Sequence, residues 1–197
     1  LLACSGARGA VPPDQEAIAK VAAGTVATAR ASWWGFDPGD ATGSLQAALD
    51  SVARTIVVED MGSPWVVRPV ALPGDKEIVF EKGVVVEAKR GEFLGTSDCL
   101  LSAKGRSNLT LRGDGAVLRM RKADYHRAPY APAEWRHALS IRGCRNVLIE
   151  GLALNDSGGD GIYLGAGAGG ATNRDIVIRK VVCDGNNRQG ISVITAE

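Results

Sequence analysis

A chain of 197 residues with 45% hydrophobic content is long enough for one sizeable core, so a single folded unit is expected. Its formal net charge of +1 offers no global attraction to nucleic acid or to an anionic membrane, so recognition of a charged ligand must be local. Aromatics are 5% while glycine contributes 25 residues, a balance that favours many short strands joined by turns over packed long helices.

Leu1-Leu2-Ala3-Cys4 has the form of a lipobox, in which Cys4 becomes the lipidated N-terminus after cleavage. Ser5 to Gly9 then read as a flexible tether. The charged and apolar parts of an export signal do not precede it, so the chain reads as starting partway through a precursor. No apolar run of about 18 residues is present, so no transmembrane helix is predicted and membrane contact is expected only through the anchor. Residues 1–31 together read as lipobox remnant and leader; Asp14 to Ala29 has helical character but little to bury. Trp33 to Asp40 is turn-rich. An amphipathic helix is predicted at about 43–54, because Leu45, Ala48, Leu49 and Val52 follow i, i+3, i+4, i+7, with Thr42 or Ser44 as cap.

From about residue 55 onward the helical period disappears and short β-rich runs take over, and they repeat. LSAKGRSNLTLRG (101–113) and LSIRGCRNVLIEG (139–151) pair Leu101 with Leu139, Ser102 with Ser140, Gly105 with Gly143, Asn108 with Asn146 and Gly113 with Gly151, all at an offset of 38. The theme continues in NRDIVIRK (173–180) and, more faintly, in KEIVFEKG (76–83). Units of this kind bury their apolar face only by stacking on the next. Residues 32–197 are therefore predicted to be one all-β domain, a right-handed parallel β-helix solenoid capped by the amphipathic helix. It stops in mid-repeat and reads as truncated at its C-terminal end. Asn108, Asn146 and Asp175 are expected at one corner of successive turns. Cys99, Cys144 and Cys183 lack metal or redox spacing and read as core-filling thiols.

The order DATGSLQAALDSVARTIVVEDMGSPWVV, LPGDKEIVFEKGVVVEA and then the N-[LV]-x-[LI]-x-G runs resembles the pectin-lyase-like superfamily, in its branch of secreted bacterial β-helix repeat proteins. The resemblance covers about residues 32–197. It implies a polysaccharide-active enzyme, hydrolase or lyase, exported to the periplasm, outer membrane or cell surface and acting on an extracellular glycan. A non-catalytic carbohydrate-binding or surface-adhesion protein is the alternative, because one fold hosts many functions. A monomer is expected.

GIYLGAGAGG (161–170) places Gly165, Gly167 and Gly170 on the spacing of a dinucleotide fingerprint. Only Ala171 to Asp175 separate it from the next strand, too few for the helix that would face a pyrophosphate, so no nucleotide is expected. No nucleic-acid motif is present either.

Three stretches carry candidate chemistry. In NDSGGDG (155–161), Asp156 and Asp160 supply the paired carboxyls that glycoside hydrolysis needs, and the intervening glycines would let a sugar approach the backbone. The bland reading is a turn with both carboxylates on local amides. The adjacent Asp-Asp and later Gly-His-Gly of polygalacturonases are missing. In DGNNRQG (184–190), Asp184, Arg188 and Gln189 are expected on the rim beside the Asp160 loop, with Arg188 a bidentate ligand for a sugar carboxylate. The insertion 119–138 holds both histidines and interleaves Tyr125, Tyr130 and Trp135 with Arg119, Arg121, Lys122, Arg127 and Arg136. Here His137, Tyr125 or Lys122 is a candidate base for a lyase step, Arg136 a carboxylate partner, and Tyr125, Trp135 and the nearby Tyr163 sugar-stacking faces. A solvated basic loop is the plain alternative. Asp156, Asp160 and Asp184 also offer oxygen ligands for calcium, without EF-hand spacing; no other metal or cofactor is expected.

Overall fold

The computed structural model describes residues 9–197; Cys4 and the lipobox lie outside the described residues. Within the leader stands α1 (Gln15–Ala22), capped by Asp14, whose carboxylate accepts the Ala17 amide at 3.0 Å. Then come β1 (Thr28–Arg30), a 3-10 turn at Ala31–Trp34 and α2 (Thr42–Asp50). Leu45, Ala48 and Leu49 of α2 are buried as their period requires. Val52 falls beyond the end of α2 and is exposed. Asp40 supports the first turn, accepting the Thr42 amide at 3.1 Å.

The strands follow in order: β2 (Thr55–Val58), β3 (Trp65–Val67), β4 (Val70–Ala71), β5 (Lys76–Phe80), β6 (Val85–Ala88), β7 (Leu101–Lys104) and β8 (Ser107–Arg119). After the short α3 (Lys122–Tyr125) come β9 (Leu139–Arg142), β10 (Arg145–Asn155), β11 (Ile162–Gly165), β12 (Arg174–Arg179), β13 (Val182–Asp184) and β14 (Ile191–Val193). All strand pairs are parallel, and they form two sheets. The larger has nine strands with the path β1-β2-β5-β8-β10-β12; the smaller has five, ordered β14-β11-β9-β7-β4.

The all-β solenoid expectation is corrected by this arrangement. Among the described residues, three α-helices and two 3-10 turns accompany two parallel sheets, an α/β-type architecture, and the larger sheet is not a single-file stack. β8 carries both β5 and β6 on one side, while β10 carries both β12 and β13 on the other. The cause is local. β8 and β10 bend at Gly113 and Gly151, where the register slips between Glu150 and Leu152. Gly151 has φ of 70°, and a Cβ there would stand 2.0 Å from the Gly113 carbonyl oxygen, so only glycine permits the bend.

The 38-residue offset is the lateral register itself: Leu101 lies opposite Leu139 and Ser102 opposite Ser140. Leu109 likewise lies opposite Val147, and Leu111 opposite Ile149. Alternation then turns Leu101, Ala103, Leu139, Ile141, Ile162 and Leu164 of the smaller sheet inward, against Ile78, Leu109, Leu111, Val147 and Ile149 of the larger. Cys99 and Cys144 are buried with them and Cys183 partly so, all three as free thiols. At the β12–β14 side Val177, Val182, Ile191 and Val193 remain exposed.

The expected corner is present and longer by one member. Asp75, Asn108, Asn146 and Asp175 have φ of 52°, 56°, 53° and 55°. Asn146 Nδ2 donates to Asn108 Oδ1 at 2.9 Å, and Asn108 Nδ2 to Asp75 Oδ1 at 2.7 Å. Left-handed backbone suits Asn and Asp better than other residues with a side chain. Asn146→Ala combines a strained φ with a lost hydrogen bond and should lower stability by about 2 kcal/mol. Asn146→Gly keeps the backbone relaxed and should cost only about 1 kcal/mol. Urea denaturation of the two variants checks that order; equal losses would mean that the backbone conformation contributes nothing.

Candidate functional site

Parallel register carries a row of polar residues across the ends of four strands: Glu87 of β6, Arg119 of β8, Asn155 of β10 and Asp184 of β13. Just beyond the row, the backbone turns at Asp156, and α3 crosses it with the Lys122 amide donating to the Asp156 carbonyl at 2.8 Å. The result is a cleft of about 390 Å³, lined by Glu87, Asp124 and Asp156 and by Arg90, Arg119, Arg121 and Lys122. Glu87 is neutralised in place. Arg119 Nη2 reaches its carboxylate at 2.7 Å and Arg121 binds the other oxygen, while Arg121 Nε donates to the Ala88 carbonyl at 2.7 Å. Asp124 pairs with exposed Arg90 at 3.3 Å. The Asp156 side chain has no hydrogen-bond or ion-pair partner among the described residues, and it is only half-buried. Its φ of 57° and the neighbouring Gly185, where a Cβ would stand 2.6 Å from Asp156 Oδ1, hold it at the turn.

Asp160 lies elsewhere, 1% exposed beneath the insertion. Its Oδ1 accepts the Gln189 amide at 3.1 Å with Arg188 Nε 3.8 Å away, and its Oδ2 stands 3.4 Å from His137 Nδ1 without a hydrogen bond. His137, 0% exposed, accepts the Asp160 amide on Nδ1 at 2.9 Å, so the neutral ring carries its proton on Nε2, which is buried and unpartnered. Burial pushes this imidazole well below its ordinary value. The Asp160 carboxylate opposes that shift, while Arg142 and Arg188 reinforce it. The Tyr163 ring is stacked on His137, with centroids 4.4 Å apart and planes at 10°.

The glycines of NDSGGDG admit protein where a sugar was expected. A Cβ on Gly158 would meet the Tyr125 ring at 2.6 Å, and one on Gly159 the Glu134 carbonyl at 2.7 Å. Arg136, expected at the surface as a carboxylate partner, is fully buried. It clamps the insertion to the body, donating from Nε to the Phe93 carbonyl at 2.8 Å and from Nη2 to the Leu94 and Ala131 carbonyls. Its guanidinium also lies over the rings of Tyr125 and Tyr130. Tyr125 is buried too, and burial raises its hydroxyl well above the usual range. Trp135 is exposed.

Of the residues read from the sequence, Asp156 and the basic start of the insertion come together in the cleft, with Asp184 behind them through its carbonyl on the Asp156 amide. The loop 184–190 does lie beside the Asp160 loop: the Arg188 amide donates to the Gly159 carbonyl, and Asn186 bridges the Ser157 amide and the Leu154 carbonyl. The three aspartates do not gather. Among the described residues no group of three or more His, Cys, Asp or Glu side chains is placed to hold a metal ion. Glu87, Arg90 and Asp124 were missed. The one available signal was Glu87, a carboxylate inside the apolar run Val84 to Ala88.

No family model matches the chain. YclG of Bacillus subtilis, an uncharacterised protein, is 29% identical over 136 residues, which cover 63% of this chain and 22% of that protein. The chain thus spans under a quarter of this relative's length. Among solved structures, a candidate glycosyl hydrolase from Parabacteroides merdae superposes with a TM-score of 0.67 at 18% identity, covering 84% of this chain and 79% of its own. Iota-carrageenase in complex with iota-carrageenan fragments gives a TM-score of 0.65 at 14% identity, over 85% of this chain and 38% of that one. At such identities the likeness is one of fold. None of these similarities carries the narrower pectin-lyase-like assignment.

The buried imidazole makes a pH prediction. Its native value is depressed, so between about pH 7 and about pH 5 the unfolded chain takes up a proton that the native protein does not, and stability falls. The urea midpoint of the wild type should drop more steeply over that interval than that of His137→Gln. Parallel curves would show that His137 is not held neutral by the fold.

Proposed function

We propose that the protein is a polysaccharide-active hydrolase whose substrate is an anionic extracellular glycan, uronate-containing or sulfated. The observation that carries the reading is the half-buried Asp156 carboxylate, without a side-chain partner among the described residues, in a cleft with a second carboxyl on Asp124 and four basic side chains. Glycoside hydrolysis needs one carboxyl to protonate the leaving oxygen and another to activate water or attack the sugar. Asp156 and Asp124 fill those roles, and Glu87, locked by Arg119 and Arg121, does not. Lys122, which makes no ion pair among the described residues, faces the cleft as a partner for a sulfate or carboxylate group on the glycan, and exposed Arg90 holds Asp124 at the cleft's edge. The fold's likeness to a candidate glycosyl hydrolase and to a carrageenase is consistent with this chemistry.

One observation favours a purely carbohydrate-binding protein instead. His137 and Asp160, two of the four residues read from the sequence as catalytic, are sealed inside the structure and out of reach of a glycan. Incubation with neutral, uronate and sulfated polysaccharides separates the readings. New reducing ends without ultraviolet absorbance indicate hydrolysis, unsaturated uronate absorbance indicates elimination, and binding without either leaves adhesion. For hydrolysis, Asp156→Asn and Asp124→Asn should each lower turnover by about 10²–10⁴-fold with an unchanged circular dichroism spectrum. Full activity in Asp156→Asn would sink the assignment.

Export with a lipid anchor at Cys4 belongs to the same proposal, motivated by Leu1-Leu2-Ala3-Cys4. In cells making the full precursor, Cys4→Ser should move the protein from the membrane to the soluble fraction. Unchanged fractionation would remove the anchor from the reading.

A further inference from the structure

On the outward face of the smaller sheet, away from the cleft, lies a groove of about 560 Å³. Its floor is set by register. Ser102, Ser140 and Tyr163 lie side by side on adjacent strands, and two residues on, so do Lys104, Arg142 and Gly165. Lys104 and Arg142 are thus like charges directly opposite one another on neighbouring strands, an arrangement that is unfavourable unless an anion compensates it. Neither makes an ion pair with any described residue. The groove holds one carboxylate, Asp98, whose Oδ2 accepts the Gly95 amide at 2.8 Å and lies beyond ion-pair distance of both cations.

Arg142 is held ready. Its guanidinium lies 4.6 Å from the Tyr163 ring centroid and its Nε reaches Ser140 Oγ at 3.3 Å, while its Nη groups have no hydrogen-bond partner among the described residues. Tyr163 in turn rests on the buried His137 ring. The ring lies flat because Gly165 has no side chain; a Cβ there would stand 2.2 Å from Tyr163 Cε1. One wall of the groove is the small-residue segment 166–168, where Gly167 packs so closely on Gly143 that a Cβ on either would meet the other's Cα at 2.8 Å.

We propose that this groove is a second glycan site, in which Lys104 and Arg142 together bind one oxyanion, a sulfate ester or a carboxylate, on a sugar with a hydroxyl that meets Ser102, while the buried Ser140 steadies Arg142. A stacked guanidinium with free Nη groups supplies directional hydrogen bonds, and the lysine beside it supplies an adaptable point charge. The site concerns binding alone and does not require turnover in the cleft.

Amide NMR titration tests it with four probes: a sulfated galactan hexasaccharide, an oligogalacturonate hexasaccharide, a neutral galactan hexasaccharide and sodium sulfate. One anionic oligosaccharide should shift the amides of 101–104, 139–142 and 165–168, and which of the two does so identifies the oxyanion. The double variant Lys104→Ala/Arg142→Ala should bind it about tenfold more weakly, as expected for two partly exposed charge contacts. Arg142→Lys should fall between the two. Relief of the repulsion between the two cations offsets the lost Arg142 contacts with Tyr163 and Ser140, so the urea midpoint of the double variant should stay close to that of the wild type. Equal binding of the neutral hexasaccharide, equal binding of free sulfate, undiminished binding by the double variant or no shift with any probe would each overturn the proposal. A protein that turns over glycan without these shifts refutes this site alone. Shifts here without turnover refute only the hydrolase reading.

Discussion

Parallel hydrogen bonding sets each strand of this protein beside its equivalent in the next pass of the chain. Leu101, Leu139, Ile162 and Ile191 therefore form one row, and Ser102, Ser140, Tyr163 and Ser192 the next. A one-residue slip would exchange the two rows and turn the apolar one to solvent. The interior between the sheets thus needs only small branched side chains, repeated, which explains how a chain with so few aromatics fills a core. The same constraint reaches the corner. Once one pass turns at a left-handed residue, the next must turn at the same height, and Asp75, Asn108, Asn146 and Asp175 share both conformation and place.

Like-on-like stacking is favourable for leucine and for asparagine, whose amide both donates and accepts along the row. For charges it is unfavourable, and the structure answers that in two ways. Across the strand ends the row reads Glu87, Arg119, Asn155, Asp184, so adjacent members alternate in sign or are neutral, and Glu87 is paired on the spot. On the outward face of the smaller sheet, Lys104 and Arg142 are left side by side. There the repetition carries an electrostatic cost that no described residue relieves.

These relations explain how much was legible beforehand. The offset between Leu101 and Leu139 gave the strands, their direction and their register, and Asn108 with Asn146 gave the corner, because each depends on residues one pass apart. The assignment to an all-β class failed for a different reason. Asp14 to Ala29 has helical character in the sequence but reads as leader, because Gln15–Ala22 buries little beyond Val21, and the doubled neighbours of β8 and β10 depend on bends at Gly113 and Gly151 that a repeat count does not reveal. The site was half legible. Asp156 and the basic residues of the insertion were recognised by type, whereas Glu87 and Asp124 reach the cleft through register and through α3. Arg136 and His137 were misplaced because composition reads an insertion rich in Arg, His and Tyr as a surface loop. Its Arg136 is in fact the bolt that fastens it.

That bolt bears on what the cleft can do. Burying a guanidinium is costly unless its donors are met, and three backbone carbonyls and two aromatic rings meet most of those of Arg136. With the arginine fixed, Tyr125 is driven onto Gly158 and Glu134 onto Gly159, and the turn between Asp156 and Asp160 is closed from above. The two aspartates, four residues apart in sequence, consequently face different media. Asp160 is sealed with a neutral histidine and serves the fold, while Asp156, one residue past the end of β10, keeps an open carboxylate over a basic cleft. The insertion thus does more than line the cleft, since its packing determines which of the two carboxylates stays open to solvent.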